Sequence, residues 1–306
     1  MSTNYQQRKY ALIWLMIGSS VLATCQIGVE AGKEDRTMTM QVSSGEPIEQ
    51  IEPDTPLVNP AGQTIDTRFN PPRGFRREVY SDDSFGYYLQ HFPLQEDGAS
   101  VMLFDGREKA RQDVHAAVLD LDIGDRDLQQ CADAVMRLRA EYLWQQKRYE
   151  EIHFNFNNGF RADYQRWRRG ERIRISGNEV SWVQRAGISE TYADFRRYLV
   201  MVFAYAGTLS LSQELEPRDL SDIEVGDVFI QGGNPGHAVI VMDKARRDDN
   251  GEKLILLAQS YMPAQSIHVL RNPANLLLSP WYAVKDFREY ILTPEWRFKT
   301  ADLKRF

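Results

Sequence analysis

The chain has 306 residues, 42% hydrophobic and 26% charged, a balance typical of a globular protein long enough for one large domain or two small ones. Its formal net charge of -6 argues against a phosphate-backbone binder, which needs a basic face, so nucleic acid is not an expected partner. Basic runs such as RWRRGERIR are diluted by acids elsewhere.

The first element is QQRKYALIWLMIGSSVLATC, in which Arg8 and Lys9 precede a short apolar run and small residues lead to Cys25. This predicts a secretory signal over residues 1–25. Its apolar stretch is too short for a membrane span. The LATC end resembles the bacterial lipobox, in which the cysteine after the cut is lipidated, although Thr24 stands where Gly, Ala or Ser is usual. The alternative is an ordinary signal peptide that discards Cys25. Both predict export to the bacterial cell envelope, and the lipobox resemblance adds a membrane anchor through lipid on Cys25. Residues 26–66 are polar, dotted with proline and without periodicity, which predicts a flexible tether of roughly 30–40 Å.

A single globular α+β domain is expected over 67–306. SDDSFGYYLQHFPL opens with capping residues and predicts a short helix, and SVMLFDG and HAAVLDLDIG predict strands. DRDLQQCADAVMRLRAEYLWQQKRYEE is the clearest helix. Asp127 and Gln130 suggest a capping-box start, and Leu128, Cys131, Val135, Leu138 and Tyr142 recur at helical spacing. EIHFNFNNGFRADY reads as strand. SETYADFRRYLVMVFAYAG predicts a buried helix with Tyr192, Phe195, Leu199, Val202 and Ala206 on one side. DVFIQ, HAVIVMD, KLILLAQSY and SIHVL then read as strands, the middle two joined by the charged loop KARRDDNGE. The aromatic tail PWYAVKDFREYILTPEWRF is expected on the outside of the sheet.

Chemistry enters through the two cysteines. With Cys25 lipidated or removed, Cys131 is a lone thiol, flagged as a possible reactive group or a small buried hydrophobe. In the first turn of a helix, the unpaired N–H groups would lower its pKa and could hold an oxyanion. His237 opens an apolar strand after Gly-Gly-Asn-Pro-Gly, where it could serve as base to a thiol or simply cap the strand. A base needs an orienting group. The polar break Gln259-Ser260 in the next strand offers one. Alternation puts the two on opposite faces, which leaves open which meets His237; an amide oxygen makes Gln259 the better candidate.

The run IEVGDVFIQGGNPGHAVIVMD, followed by LLAQS, resembles the strand module of NlpC-type cell-wall peptidases and related amidases of the papain-like superfamily. The resemblance implies a papain-like helix packed on an antiparallel sheet over about 115–290, with N-terminal additions. It implies Cys131 as nucleophile, His237 as base, Gln259 as orienting residue and Gly226-Asp227 as a structural turn. The Asp-Cys-Ser-Gly signature of those enzymes is replaced by Gln130-Cys131-Ala132-Asp133. Over its length, through DLQQCADAVMRLRAEYL, GHAVIVMD and LLAQSYMPAQSIHVL, the chain also resembles an uncharacterised family of exported bacterial proteins carrying a domain of unknown function.

Trp167 and Arg168, in FRADYQRWRRGERIR, could grip a carboxylate-bearing substrate, or lie on a solvated helix face. Tyr261, beside the polar break, is a further substrate-binding candidate. Asp120, Asp122 and Asp125 lack the rest of a calcium loop, and His91, His115, His153 and His268 lack metal-ligand spacing, so neither metal nor cofactor is expected. The expected function is thiol-dependent cleavage or transfer of an amide or acyl bond at the envelope, with peptidoglycan peptides as the substrate class. The alternative is a non-catalytic envelope lipoprotein that binds or acts as a scaffold.

Overall fold

A computed structural model of the protein describes residues 55–177 and 179–306. The expected signal peptide, Cys25 and most of the tether lie outside the described residues. Residues 57–66 of the expected tether are packed. The Asn59 N–H donates to the Arg68 carbonyl (2.7 Å), the Asn70 N–H to the Leu57 carbonyl (2.9 Å), and Ile65 is fully buried. The body therefore starts earlier than the boundary at 66, because a polar, Pro-dotted stretch can be held by backbone hydrogen bonds that leave no periodic signature.

The body is mixed α/β, built on a nine-stranded antiparallel sheet. Its order runs His115–Val118, His268–Leu270, Lys253–Gln259, His237–Arg247, Val228–Gln231, Leu303–Arg305, Glu216–Pro217. Phe75–Arg77 pairs with the far end of the His237–Arg247 strand, and Tyr282–Ala283 with the Lys253–Gln259 strand. His237 through Ala245 are all buried, so this strand is covered on both faces. That is why it reads as a continuous apolar run rather than an alternation.

The helix Cys131–Gln145 packs on this strand. Val135, Leu138 and Tyr142, from its predicted stripe, are almost fully buried. Truncating Leu138 to alanine would cost about 2–5 kcal/mol by the cavity it leaves. The polar positions one turn apart are buried too and satisfy one another. Arg137 Nε donates to Glu141 Oε1 (2.6 Å), and its Nη2 to the hydroxyl of Tyr192 (3.0 Å), in the neighbouring helix Tyr192–Tyr205. In that second helix Phe195, Leu199 and Val202 are fully buried as its spacing predicts.

Several expectations differ from the structure. SVMLFDG forms only isolated bridges, through Met102 and Leu103, rather than a strand. A further helix, Thr208–Glu214, follows the second one, and Glu171–Ser176 pairs with Glu179–Gln184 as a hairpin. The aromatic tail does not merely coat the sheet. It supplies the strand Tyr282–Ala283 and nearly all of a hairpin, Tyr290–Leu292 with Arg297–Lys299, and the residues that follow it add the strand Leu303–Arg305. Trp281 and Phe298 are fully buried.

Candidate functional site

Cys131 is the first residue of its helix, with Gln130 as N-cap. The Asp133 carboxylate caps the start by accepting from the Gln130 N–H (3.1 Å). Asp127, expected to begin the capping box, instead accepts from the Gln130 side-chain amide (3.0 Å) and the Ala264 N–H (2.7 Å), tying the approach to the helix to the loop after the Gln259 strand. The thiol is free and buried. The backbone N–H groups of Ala132, of Ala238, the residue next to His237, and of Cys131 itself favour the thiolate. Burial, and then the charge of Asp133, outweigh them and push the thiol up to about 11. The helix N-terminus therefore does not give the lowered pKa expected from position, because desolvation of a buried charge is the larger effect.

His237 begins its strand opposite Gln231 and is 1% exposed. The sheet register decides its partner. Leu256 stands opposite Asp243 but Leu257 opposite Val241, a bulge that shifts the pairing by one residue. Ala258 then faces Ile240, and the next residue, Gln259, falls opposite Val239, on the same face as His237. Without the bulge Ser260 would take that face. His237 Nε2 and Gln259 Oε1 are 2.8 Å apart. Ser260, on the other face, donates to the carbonyls of Gln129 (3.1 Å) and Gln265 (2.9 Å).

Rings enclose the imidazole. Tyr261 lies at 4.8 Å between centroids, Trp296 at 5.2 Å and Phe298 at 5.7 Å, the last stacked. Burial lowers the His237 pKa to about 4, against the raising effect of the Gln259 hydrogen bond, so the ring is neutral near pH 7. A neutral imidazole donates through one nitrogen only. The contact to a carbonyl oxygen assigns the proton to Nε2 and leaves Nδ1 with its lone pair.

Behind Gln259 the network continues. Gln259 Nε2 donates to Glu295 Oε2 (2.8 Å) and lies 3.4 Å from His268 Nε2. Glu295 Oε1 meets Lys109 Nζ at 2.8 Å, with both side chains about nine-tenths buried. Neither residue carried a local signal: Lys109 sits in a charged loop and Glu295 in the tail's TPEW turn. Trp296 and Phe298 were visible only as aromatics.

Cys131, His237, Tyr261 and Trp296 line one cavity of about 310 Å³, with Thr208 and the Gly233–Gly236 turn on another wall. Asp127 and Asp133 are the acidic side chains along it, and burial pushes the Asp133 carboxyl well above the usual carboxylate range. Trp167 and Arg168 are not among its lining residues. Trp167 is 5% exposed beneath Arg172, and Arg168 pairs with Glu190. Among the described residues no group of histidine, cysteine and carboxylate side chains could hold a metal ion. No helix among them is long and apolar enough to cross a membrane.

A family model described as a domain of unknown function (4846) matches residues 65–305. No curated protein and no solved structure matches the chain.

Proposed function

For this chain, which belongs to the family described as domain of unknown function 4846, we propose a thiol-dependent hydrolase or acyl transferase acting on amide bonds, with a papain-like, NlpC-type arrangement of helix and sheet. The observation that carries this reading is one cavity holding a free thiol at a helix start and an imidazole whose Nε2 lies 2.8 Å from the Gln259 amide oxygen. Nδ1 of His237 takes the Cys131 proton as the sulfur attacks the carbonyl carbon. The N–H groups at the helix start face the oxygen that gains charge. The C–N bond breaks as His237 returns its proton to the leaving amine, giving a thioester. Water then gives a proton to His237 and its oxygen attacks the thioester; the C–S bond breaks and Cys131 is reprotonated.

The resting pair is neutral. Values of about 11 for the thiol and about 4 for the imidazole place the proton transfer roughly 10 kcal/mol uphill before charge attraction is counted. Barriers of about 13–17 kcal/mol correspond to turnover at 1–1,000 per second. A neutral resting pair is therefore compatible with turnover, provided that transfer accompanies attack. Envelope location, a lipid on Cys25 and peptidoglycan peptides as substrate complete the proposal, resting on the N-terminal sequence and on the resemblance of GHAVIVMD and its neighbours.

The raised thiol pKa favours a second reading, a module that binds in the same cavity without chemistry. Iodoacetamide labelling of the purified full-length chain near neutral pH separates them. Labelling of Cys131 that is slowed at least tenfold by His237→Ala supports the hydrolase. A thiol that labels at the same rate with or without His237 sinks it.

A further inference from the structure

The proton on His237 Nε2 depends on which end of the Gln259 amide faces the ring. An amide can turn over, exchanging its oxygen for its NH2 group at almost no change of shape. Were the NH2 to face His237, the ring would have to accept at Nε2 and carry its proton on Nδ1, and no base would remain for the thiol.

Two contacts prevent this. Glu295 Oε2, 2.8 Å from Gln259 Nε2, only accepts, so it demands an N–H from the amide. His268 makes the same demand. Its Nδ1 lies 2.9 Å from the Ser266 carbonyl and must donate there, which leaves Nε2 as an acceptor 3.4 Å from Gln259 Nε2. The shorter contact, to a carboxylate, is the stronger. Lys109 Nζ, 2.8 Å from Oε1, compensates the carboxylate's charge where it is buried. The turn that carries Glu295 is itself closed, with the Thr293 N–H donating to the Trp296 carbonyl (2.9 Å) and the Trp296 N–H to Thr293 Oγ1 (3.1 Å).

We propose that Glu295, paired with Lys109, is a positioning residue that sets the His237 tautomer by fixing the orientation of the Gln259 amide. It touches neither thiol nor substrate and acts through Gln259. Its catalytic meaning rests on the reading of His237 as the base for Cys131; its effect on the tautomer does not.

Long-range proton–nitrogen NMR of the full-length chain, with ring signals assigned by their loss in His237→Gln, reports which nitrogen is protonated. Wild type should show the proton on Nε2 alone at pH 7. In Glu295→Gln, an amide can donate as well as accept, so Gln259 is held only by the longer His268 contact; the spectrum should show both tautomers, and Cys131 alkylation should slow by about twofold to tenfold, in proportion to the Nε2–H fraction lost. Glu295→Asp, one methylene shorter, should give the same mixture with the charge kept. A wild-type proton on Nδ1, or an unmixed Nε2–H in a folded Glu295 variant, overturns the proposal without any recourse to reactivity. Mixed tautomers in the variant beside a thiol inert in wild type would leave Glu295 in its role and remove the hydrolase reading.

Discussion

His237 and Gln259 stand on one face of the sheet with Nε2 and Oε1 2.8 Å apart, a contact created by the bulge at Leu256–Leu257. Gln259→Ala removes the only oxygen, among the described residues, that hydrogen-bonds the ring, and leaves the Glu295 carboxylate short of a donor. The expected result is a tenfold to hundredfold slower reaction of Cys131 with iodoacetamide, with a loss of about 1–3 kcal/mol from the unpaired buried group. Labelling kinetics and urea melts measure the two effects separately.

Acid should destabilise the fold through its buried imidazoles. His237 and His268 are held by burial at about 4 and about 3, below the ordinary value of 6.5. Between those limits the unfolded chain binds protons that the folded one refuses, so stability falls as pH drops from about 6.5 and levels off once the folded rings protonate. The His237 contribution is roughly 3 kcal/mol across that window. Urea denaturation from pH 7 to pH 4 should show the decline, and His237→Gln should flatten part of it. An unchanged slope in the variant would mean that the ring is not held neutral.

The turn before His237 has no room for a side chain at Gly236. A Cβ there would collide with Thr208 Oγ1 and the Gly233 carbonyl and come within 2.9 Å of the Gln231 carbonyl. Gly236→Ala should therefore push the turn off the Thr208 helix, costing about 1–3 kcal/mol. Cys131 labelling should slow with it, because His237 follows directly in the chain. Thermal melts paired with labelling rates check both expectations.

Gly226-Asp227, noted in the sequence as a structural turn, has a physical reason. Gly226 adopts φ +94°, a conformation disfavoured for other residues. Asp227, fully buried, accepts from Arg305 Nε (2.5 Å) and Nη2 (2.8 Å) and from the Glu224 N–H (2.8 Å). It therefore clips the C-terminal strand to the centre of the sheet. Asp227→Ala should cost about 1–3 kcal/mol by leaving the Glu224 N–H without its acceptor, with Arg305, a third exposed and still bonded to the Asp222 carbonyl, adding less. Arg305→Leu, which leaves the carboxylate unpaired, should cost a similar amount in the same denaturation experiment.

Local pattern made much of the scaffold legible. Helical spacing from Val135 to Tyr142 and from Phe195 to Val202 marks faces that the structure buries. The unbroken apolar runs after His237 and Lys253 mark strands that the structure covers on both faces. Short strands such as Leu303–Arg305, and the hairpin beginning at Glu171, escaped because three to six mixed residues carry no clear period. The thiol's acidity was misjudged for a related reason: a helix start is visible in sequence, whereas the surrounding desolvation is not.

What the sequence alone determined was which residues could do chemistry and which elements carry them, since side-chain type and periodicity are properties of neighbouring positions. Cys131 at a helix start, His237 at a strand start and Gln259 in the polar break of the next strand all follow from that; that the strand ends at Gln259 is a finding of the structure. Only the tertiary structure decided that Gln259 rather than Ser260 meets the imidazole, and that Glu295 and Lys109 stand behind it. Those choices belong to register and burial: one extra residue in a bulge reverses every side chain beyond it, and an ion pair between positions far apart in the chain exists only after the sheet has closed.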